Sequence, residues 1–249
     1  MIHIIKSYLH ENINIKLFDE VDSTNNICKE IGLGEFENTL VVANAQTGGR
    51  GRLGRNFISK KDKGIYMSLL LKVNMSLQDV SKITCVVGTS VVKVLKQYIN
   101  DDLYIKWVND IYLHGKKISG ILTESKIEQN KLKYIIIGVG LNLEHQVFPE
   151  DVNASSIFDE VNININKEKL IAQLVDQILS DIKNINDLSH ISYFQKHMYL
   201  LGENVELLLQ NRKYIGRIVG INDDFELVAN INGQNITISS GEILKVSKA

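Results

Sequence analysis

One proline and two cysteines stand in 249 residues, and neither charge sign is in excess. Each shortage excludes something. The lone proline, Pro149, and the lack of any repeat or low-complexity stretch leave no room for a proline-rich linker or a repeat array. Cys28 and Cys85 lie in apolar, helix-like patterns. They read as buried free thiols of a reducing, cytoplasmic setting, not as a disulfide, a metal pair or a nucleophile. A net charge of −1 argues against a general nucleic-acid surface. No run reaches the ~18 apolar residues of a membrane span. Met1–Asn12 is interrupted by His3, Lys6, His10 and Glu11, unlike the apolar region of a signal peptide. What is present, 44% hydrophobic and 23% charged residues, is the composition of a packed globular chain.

Against that background Gln46–Phe57, Q-T-G-G-R-G-R-L-G-R-N-F, is the most distinctive stretch. Glycine at this density disfavours helix and strand interiors, so a loop is expected, mobile when empty. Arginines supply fixed charge and forked donors suited to phosphate or carboxylate. The competing reading is a solvated basic turn or a nucleic-acid arm, which the neutral chain disfavours. The segment joins two expected strands, Thr39–Ala43 and Gly64–Val73. A connection of roughly twenty residues is long for a compact domain and reads as a functional lid or a disordered segment.

The rest of the chain organises around it. Alternation predicts strands at Ile13–Phe18, Leu103–Lys106, Ile118–Glu124 and Lys131–Val139. Asp22-Ser23-Thr24-Asn25 reads as a helix cap ahead of Ile27, Cys28 and Ile31. Ser76 and Asp79 resemble a capping box opening a long helix to about Asn100. An amphipathic helix is expected at Lys167–Asn184, and a shorter one at about Ile191–Tyr199. From Gly202 onward short alternating segments with close turn signals predict a small all-β module of about fifty residues. This divides the chain into domains at 1–200 and 201–249. Glycine-rich or polar clusters then stand at three strand ends: the Gly/Arg loop, Lys106–Lys117 and Gly138–Asn142. Lys106, Asn109, Asp110 and Lys117 together could hold a nucleotide phosphate and its Mg²⁺. Alone they would read as a solvated hairpin turn.

Gly49–Arg55, G-R-G-R-L-G-R, resembles the Gly/Arg motif of biotin–protein ligases. Lys106-Trp107-Val108-Asn109-Asp110 is similar to the family's K-W-P-N-D, with Val108 where proline is usual. Lys116–Glu124 resembles its K-K-[LI]-x-G-I-L-x-E. Asp22–Asn25, Gly138–Asn142 and Ser240-Gly241-Glu242-Ile243 are also similar, in the family's order over nearly the whole chain. The resemblance implies an α+β fold, a mixed sheet packed with helices as in class II aminoacyl-tRNA synthetases, plus a small C-terminal Src-homology-3-like barrel. It implies activation of biotin with Mg²⁺ and ATP as biotinyl-5′-AMP, then transfer to a lysine of a biotin carboxyl carrier domain.

By that resemblance, biotin would be held by Ser23, Thr24, Asn25, Gln46, Gly49, Arg50, Arg52, Lys117, Gly120 and Gly138. ATP or the adenylate would be held by Arg50, Arg52, Arg55, Phe57, Asn109, Asp110, Lys117, Gly140 and Asn142. Lys117, Arg52 and Asp110 are the expected catalytic residues. Asp110 has two open roles, coordinating Mg²⁺ or accepting a proton from the incoming lysine. The catalytic strand begins by about residue 13, so no DNA-binding helix-turn-helix domain and no DNA partner are expected. A homodimer is left open. The rivals are a lipoate–protein ligase, which lacks the doubled G-R-G-R pattern, and a non-catalytic biotin- or nucleotide-binding regulator, which would dispense with Lys117, Arg52 and Asp110.

Overall fold

Period-two alternation of apolar residues lets one sheet bury both faces. In the strands Thr39–Gln46 and Gly64–Leu71, Leu40, Val42, Leu69 and Leu71 enter one core, while Val41 and Leu70 enter another. The structure, a computed structural model, describes residues 1–246. Its first part runs α1 (Ile2–Tyr8), β1 (Asn14–Val21), α2 (Thr24–Ile31), β2 (Thr39–Gln46), β3 (Gly64–Leu71), α3 (Leu77–Val80) and α4 (Ile83–Leu95). Next come β4 (Leu103–Lys106), β5 (Asp110–Leu113), β6 (Lys116–Glu128), β7 (Lys131–Asn142), α5 (Ile157–Val161), α6 (Lys167–Lys183) and α7 (Ser189–Lys196). The chain finishes with β8 (Asn204–Leu209), β9 (Arg212–Ile221), β10 (Leu227–Ile231), β11 (Gln234–Ile238) and β12 (Glu242–Val246).

Strands β1 to β7 form one mixed sheet in the order β1-β2-β3-β7-β6-β5-β4. Only β1 and β2 are parallel, as their connection through α2 requires. The larger core lies on the face covered by α4 and α6. Most of α4 is buried, with Val86, Val87, Val91, Val92 and Leu95 all inaccessible. Each such side chain stabilises the fold by about 1.5–3 kcal/mol relative to exposure. The opposite face carries α2, whose Cys28 packs on Val41, Leu70 and Ile136. Beyond α2 that face is left open, and this is where the candidate site lies.

Some local expectations need correction. The long helix expected from Ser76 to about Asn100 is two helices: the chain tightens to i→i−3 bonds at Ser81 and Lys82, and α4 ends at Leu95. Lys82 turns away to reach Asp79, Asn186 and Asp224. Strand β7 runs past the expected end at Val139 to Asn142, because Gly138 and Gly140 both pair with β3 and β6. Strands β8 to β12 form a separate antiparallel sheet in the order β11-β10-β9-β8-β12. It is fastened to the first part by Trp107, whose Nε1–H donates to the Phe225 carbonyl at 2.9 Å. Cys28 and Cys85 are both buried and free, and burial pushes the Cys28 thiol up to about 12. No described helix is long and apolar enough to cross a membrane.

Candidate active site

Gly138 and Gly140 carry no side chain on the open sheet face, so Asn25 and Phe57 pack directly onto this floor. Gly120 pairs with Gly140, and Leu122 pairs with Gly138, across β6 and β7. A Cβ on Gly138 would stand 2.4 Å from Asn25 Oδ1, and one on Gly140 would stand 2.5 Å from the Phe57 ring. Above this floor lies a cavity of about 770 Å³. Its walls come from α2, the Gly/Arg loop, the β4–β6 hairpins, the segment around Phe148–Ala154, and Gly241–Ile243 of the second sheet.

Every residue expected at the site lines this cavity except Gly49. Gly49 lies outside because its carbonyl accepts from Phe57 N–H at 2.8 Å, and a Cβ there would meet the Phe57 carbonyl. It shapes the base of the loop. The loop itself is an irregular hairpin. Gln46 bridges Ser59, Arg50 bridges Asn56, and Leu53 takes a left-handed conformation at its tip.

At the α2 end the lining is neutral and polar. Gln46 Oε1 accepts from the Thr24 backbone N–H at 2.9 Å and faces its hydroxyl at 3.2 Å. Ser68 Oγ is within hydrogen-bond distance of both Thr24 Oγ1, at 2.7 Å, and Asn25 Oδ1, at 2.6 Å. Ser23, Thr24 and Asn25 are all buried. Such a cluster can pair with a neutral ligand's donors and acceptors without paying for a buried charge.

The other end is charged. Lys117 on β6 faces Asp110 on β5, with Nζ 2.7 Å from Oδ1. That oxygen is buried, and the contact is an ion pair without hydrogen-bond alignment. Burial lowers the Arg52 guanidinium below its ordinary value, with Asp110, Cys85 and Glu242 opposing the shift. Burial likewise lowers Lys106, opposed by Asp110 and Glu242. A cluster of partly desolvated cations is a place for an anion of several charges. Arg55 is tied to Glu242 of the second sheet at 2.5 Å, and Arg50 to Asn26 and Glu124. Asn109 donates to the Ile121 carbonyl. Asn142 donates to the Ser155 carbonyl, which leaves its buried Oδ1 with no partner of its own. The Trp107–Val108 peptide bond at the turn is cis.

Sequence reasoning left out Tyr112, Phe148, Val152 and Ala154 from the lining. Tyr112 was hidden because β5 has only four residues and a register shift against β6. The 144–153 segment has no apolar period to mark it. Its sole signal was length, and it is held as a wall by backbone bonds from Lys117 to Asn153 and Ser155.

Comparisons with known proteins agree with this layout. A family model described as the biotin/lipoate A/B protein ligase family matches residues 17–142, and one described as the biotin protein ligase C terminal domain matches 200–246. The bifunctional ligase/repressor BirA of Bacillus subtilis is 30% identical over 236 residues, covering 90% of this chain and 72% of its own. The biotin–[acetyl-CoA-carboxylase] ligase of Mycobacterium tuberculosis is 23% identical over 218 residues, covering 84% and 80%. The biotin protein ligase of Aquifex aeolicus, solved with biotin and ATP, superposes with a TM-score of 0.79 at 27% identity, over 94% of this chain and 99% of that one. By these matches, the chain belongs to the biotin/lipoate A/B protein ligase family, among its biotin protein ligases.

Proposed function

We propose that this chain activates biotin with ATP as biotinyl-5′-AMP and transfers the biotinyl group to a lysine of a biotin carboxyl carrier domain. The observation that carries this reading is one cavity with a neutral polar end, a glycine floor and a cationic end. Biotin has a neutral ureido ring, an aliphatic tail and a carboxylate, in that order. Thr24, Asn25, Gln46 and Ser23 would meet the ureido group, and the tail would lie along Gly138 and Gly120. The carboxylate would then face Lys117 and Arg52.

In the first step a biotin carboxylate oxygen attacks the α-phosphorus, and the bond to the pyrophosphate oxygen breaks. Negative charge builds on the transferring phosphoryl group. Lys117 and Arg52 stabilise it, with the benefit enlarged by their desolvated setting. Phe57 offers a ring face for the adenine. Asn142 Oδ1, buried and unpaired, accepts an N–H or O–H from the nucleotide. Arg50, Arg55 and Asn109 hold the loop and the turn around it. In the second step the carrier lysine attacks the acyl carbonyl and AMP leaves. The amine must lose a proton, and Asp110 would accept it once Lys117 turns to phosphate.

Asp110 also fits a Mg²⁺ requirement. This ion usually takes one or two carboxylates together with substrate phosphates, and Asp110 is a carboxylate that lines the charged end of the cavity. Mg²⁺ would supply neutralisation of phosphate charge. We take 1–200 as the catalytic domain and 201–249 as a second domain that completes the wall.

The test is pyrophosphate release from ATP with biotin, lipoate and octanoate in parallel, followed by mass analysis of a carrier domain. Biotin alone should support release and label the carrier. Equal turnover with lipoate would overturn the substrate assignment.

A further inference from the structure

Glu124 closes the Lys116–Glu124 motif, yet the reaction above gives it no task. It sits on β6, two residues past Leu122 and on the floor face of the sheet. Its carboxylate gathers groups from two other segments. Oε1 accepts from Lys29 Nζ at 2.7 Å. Oε2 accepts from Asn25 Nδ2 at 2.8 Å and lies 3.6 Å from the Arg50 guanidinium. Burial alone would raise the carboxyl, but Lys29, Asn25 and Arg50 more than offset this and keep it ionised.

The two ends of this arrangement lead to different parts of the cavity. Asn25 lines its neutral end, where its Oδ1 takes the space over Gly138. Arg50 is the first arginine of the Gly/Arg loop and also donates to Asn26 on α2. A second cleft, of about 330 Å³, opens between residues 50–54 of the loop and Leu122 and Glu124 on β6. The Arg50 contact bridges it.

We propose that Glu124 is a positioning residue that latches the Gly/Arg loop, through Arg50, to the Asn25 amide, so that occupancy of the neutral end and closure of the loop are coupled through one carboxylate. A ligand that engages Asn25 adds to the hold that Ser68 and Glu124 already have on the amide. The fixed amide orients Oε2, and the oriented carboxylate holds Arg50 and the loop. By linkage, a closed loop favours the ligand to the same degree. The identity of that ligand as biotin rests on the proposed function, whereas the latch does not.

Limited trypsin digestion of the full chain reads the latch directly, by the rate of cutting at Arg52 and Arg55. Without ligand, Glu124→Gln should be cut about three- to fivefold faster than the parent, the size expected of one partly exposed ion pair. Arg50→Gln should behave alike, and the double variant should be no faster than either single one. In Glu124→Ala, which also strips Asn25 of its acceptor, the KM for biotin in pyrophosphate release should rise about tenfold while kcat stays within about twofold. Parental cutting rates in both Glu124 variants would overturn the latch. So would faster cutting at sites throughout the chain, which marks general destabilisation. If the parent protein neither binds biotin nor releases pyrophosphate, the substrate reading fails, and the ligand-free cutting rates still decide the latch.

Discussion

Lys117 and Asp110 form an ion pair across the β5–β6 hairpin, 2.7 Å apart at the charged end of the cavity. The pair sets the Lys117 Nζ beside the Asp110 carboxylate at the cavity lining. Lys117→Ala should lower the rate of adenylate formation about 10²–10³-fold, the usual cost of removing one donor to a developing charge. Biotin affinity should stay within about tenfold, because the ring-binding groups lie at the other end. Single-turnover pyrophosphate release and biotin calorimetry separate the two. An unchanged rate would remove Lys117 from its role.

Gly138 and Gly140 should differ in what they tolerate. In Gly138→Ala the new methyl meets Asn25, which Ser68 and Glu124 hold in place. Overpacking of this kind costs about 1–3 kcal/mol, and biotin affinity should fall by about tenfold or more. In Gly140→Ala the methyl meets the Phe57 ring, which belongs to the loop and can swing aside. There the loss should fall on ATP, and biotin binding should be largely kept. Calorimetric titrations of each variant with each ligand check the contrast.

Trp107 is the sole tryptophan of the chain, is 4% exposed, and lines the cavity while bonding Phe225 of the second part. Its emission should therefore change when ATP is added. Trp107→Phe leaves the Phe225 carbonyl without this donor, at a cost of about 1–3 kcal/mol. A urea titration followed by circular dichroism measures that loss. An ATP titration that leaves the emission of the parent protein untouched would argue against nucleotide binding beside Trp107.

Acid should unfold the protein through Glu124 and Glu160. Burial pushes both carboxyls up, but Lys29 and Asn25 for the first, and Ser155, Lys116 and His114 for the second, bring them below the ordinary value of 4.5. The folded chain thus binds protons less readily than the unfolded one. The resulting stability is complete above the ordinary value and is lost as pH falls through the depressed folded values. Urea midpoints should drop between about pH 5 and pH 3, and less steeply in Glu160→Gln.

The strands were legible in the sequence because alternation reports burial directly, and the motifs marked the residues that surround the cavity. What escaped notice did so for physical reasons. Helix α1 shows His3 and Lys6 among its apolar residues, and only Ile5 is buried. Its helicity comes from packing on α6, a partner far away in the chain. Strand β5 is too short for a period to register. The 144–153 wall is held by backbone bonds, which leave no mark on residue type. The role of Glu124 lay in the junction of three segments, and such a junction is visible only after folding.

The cavity wall at Gly241–Ile243 comes from the start of β12, the last described strand, whereas the opposite wall begins at Ser23. A chain made from its N-terminus folds its parts in that order. The sheet, the lysine and the arginine loop are therefore in place on the ribosome before the pocket has its final side. A chain cut between β7 and β8 would keep these groups and lose the Gly241–Ile243 side of the enclosure.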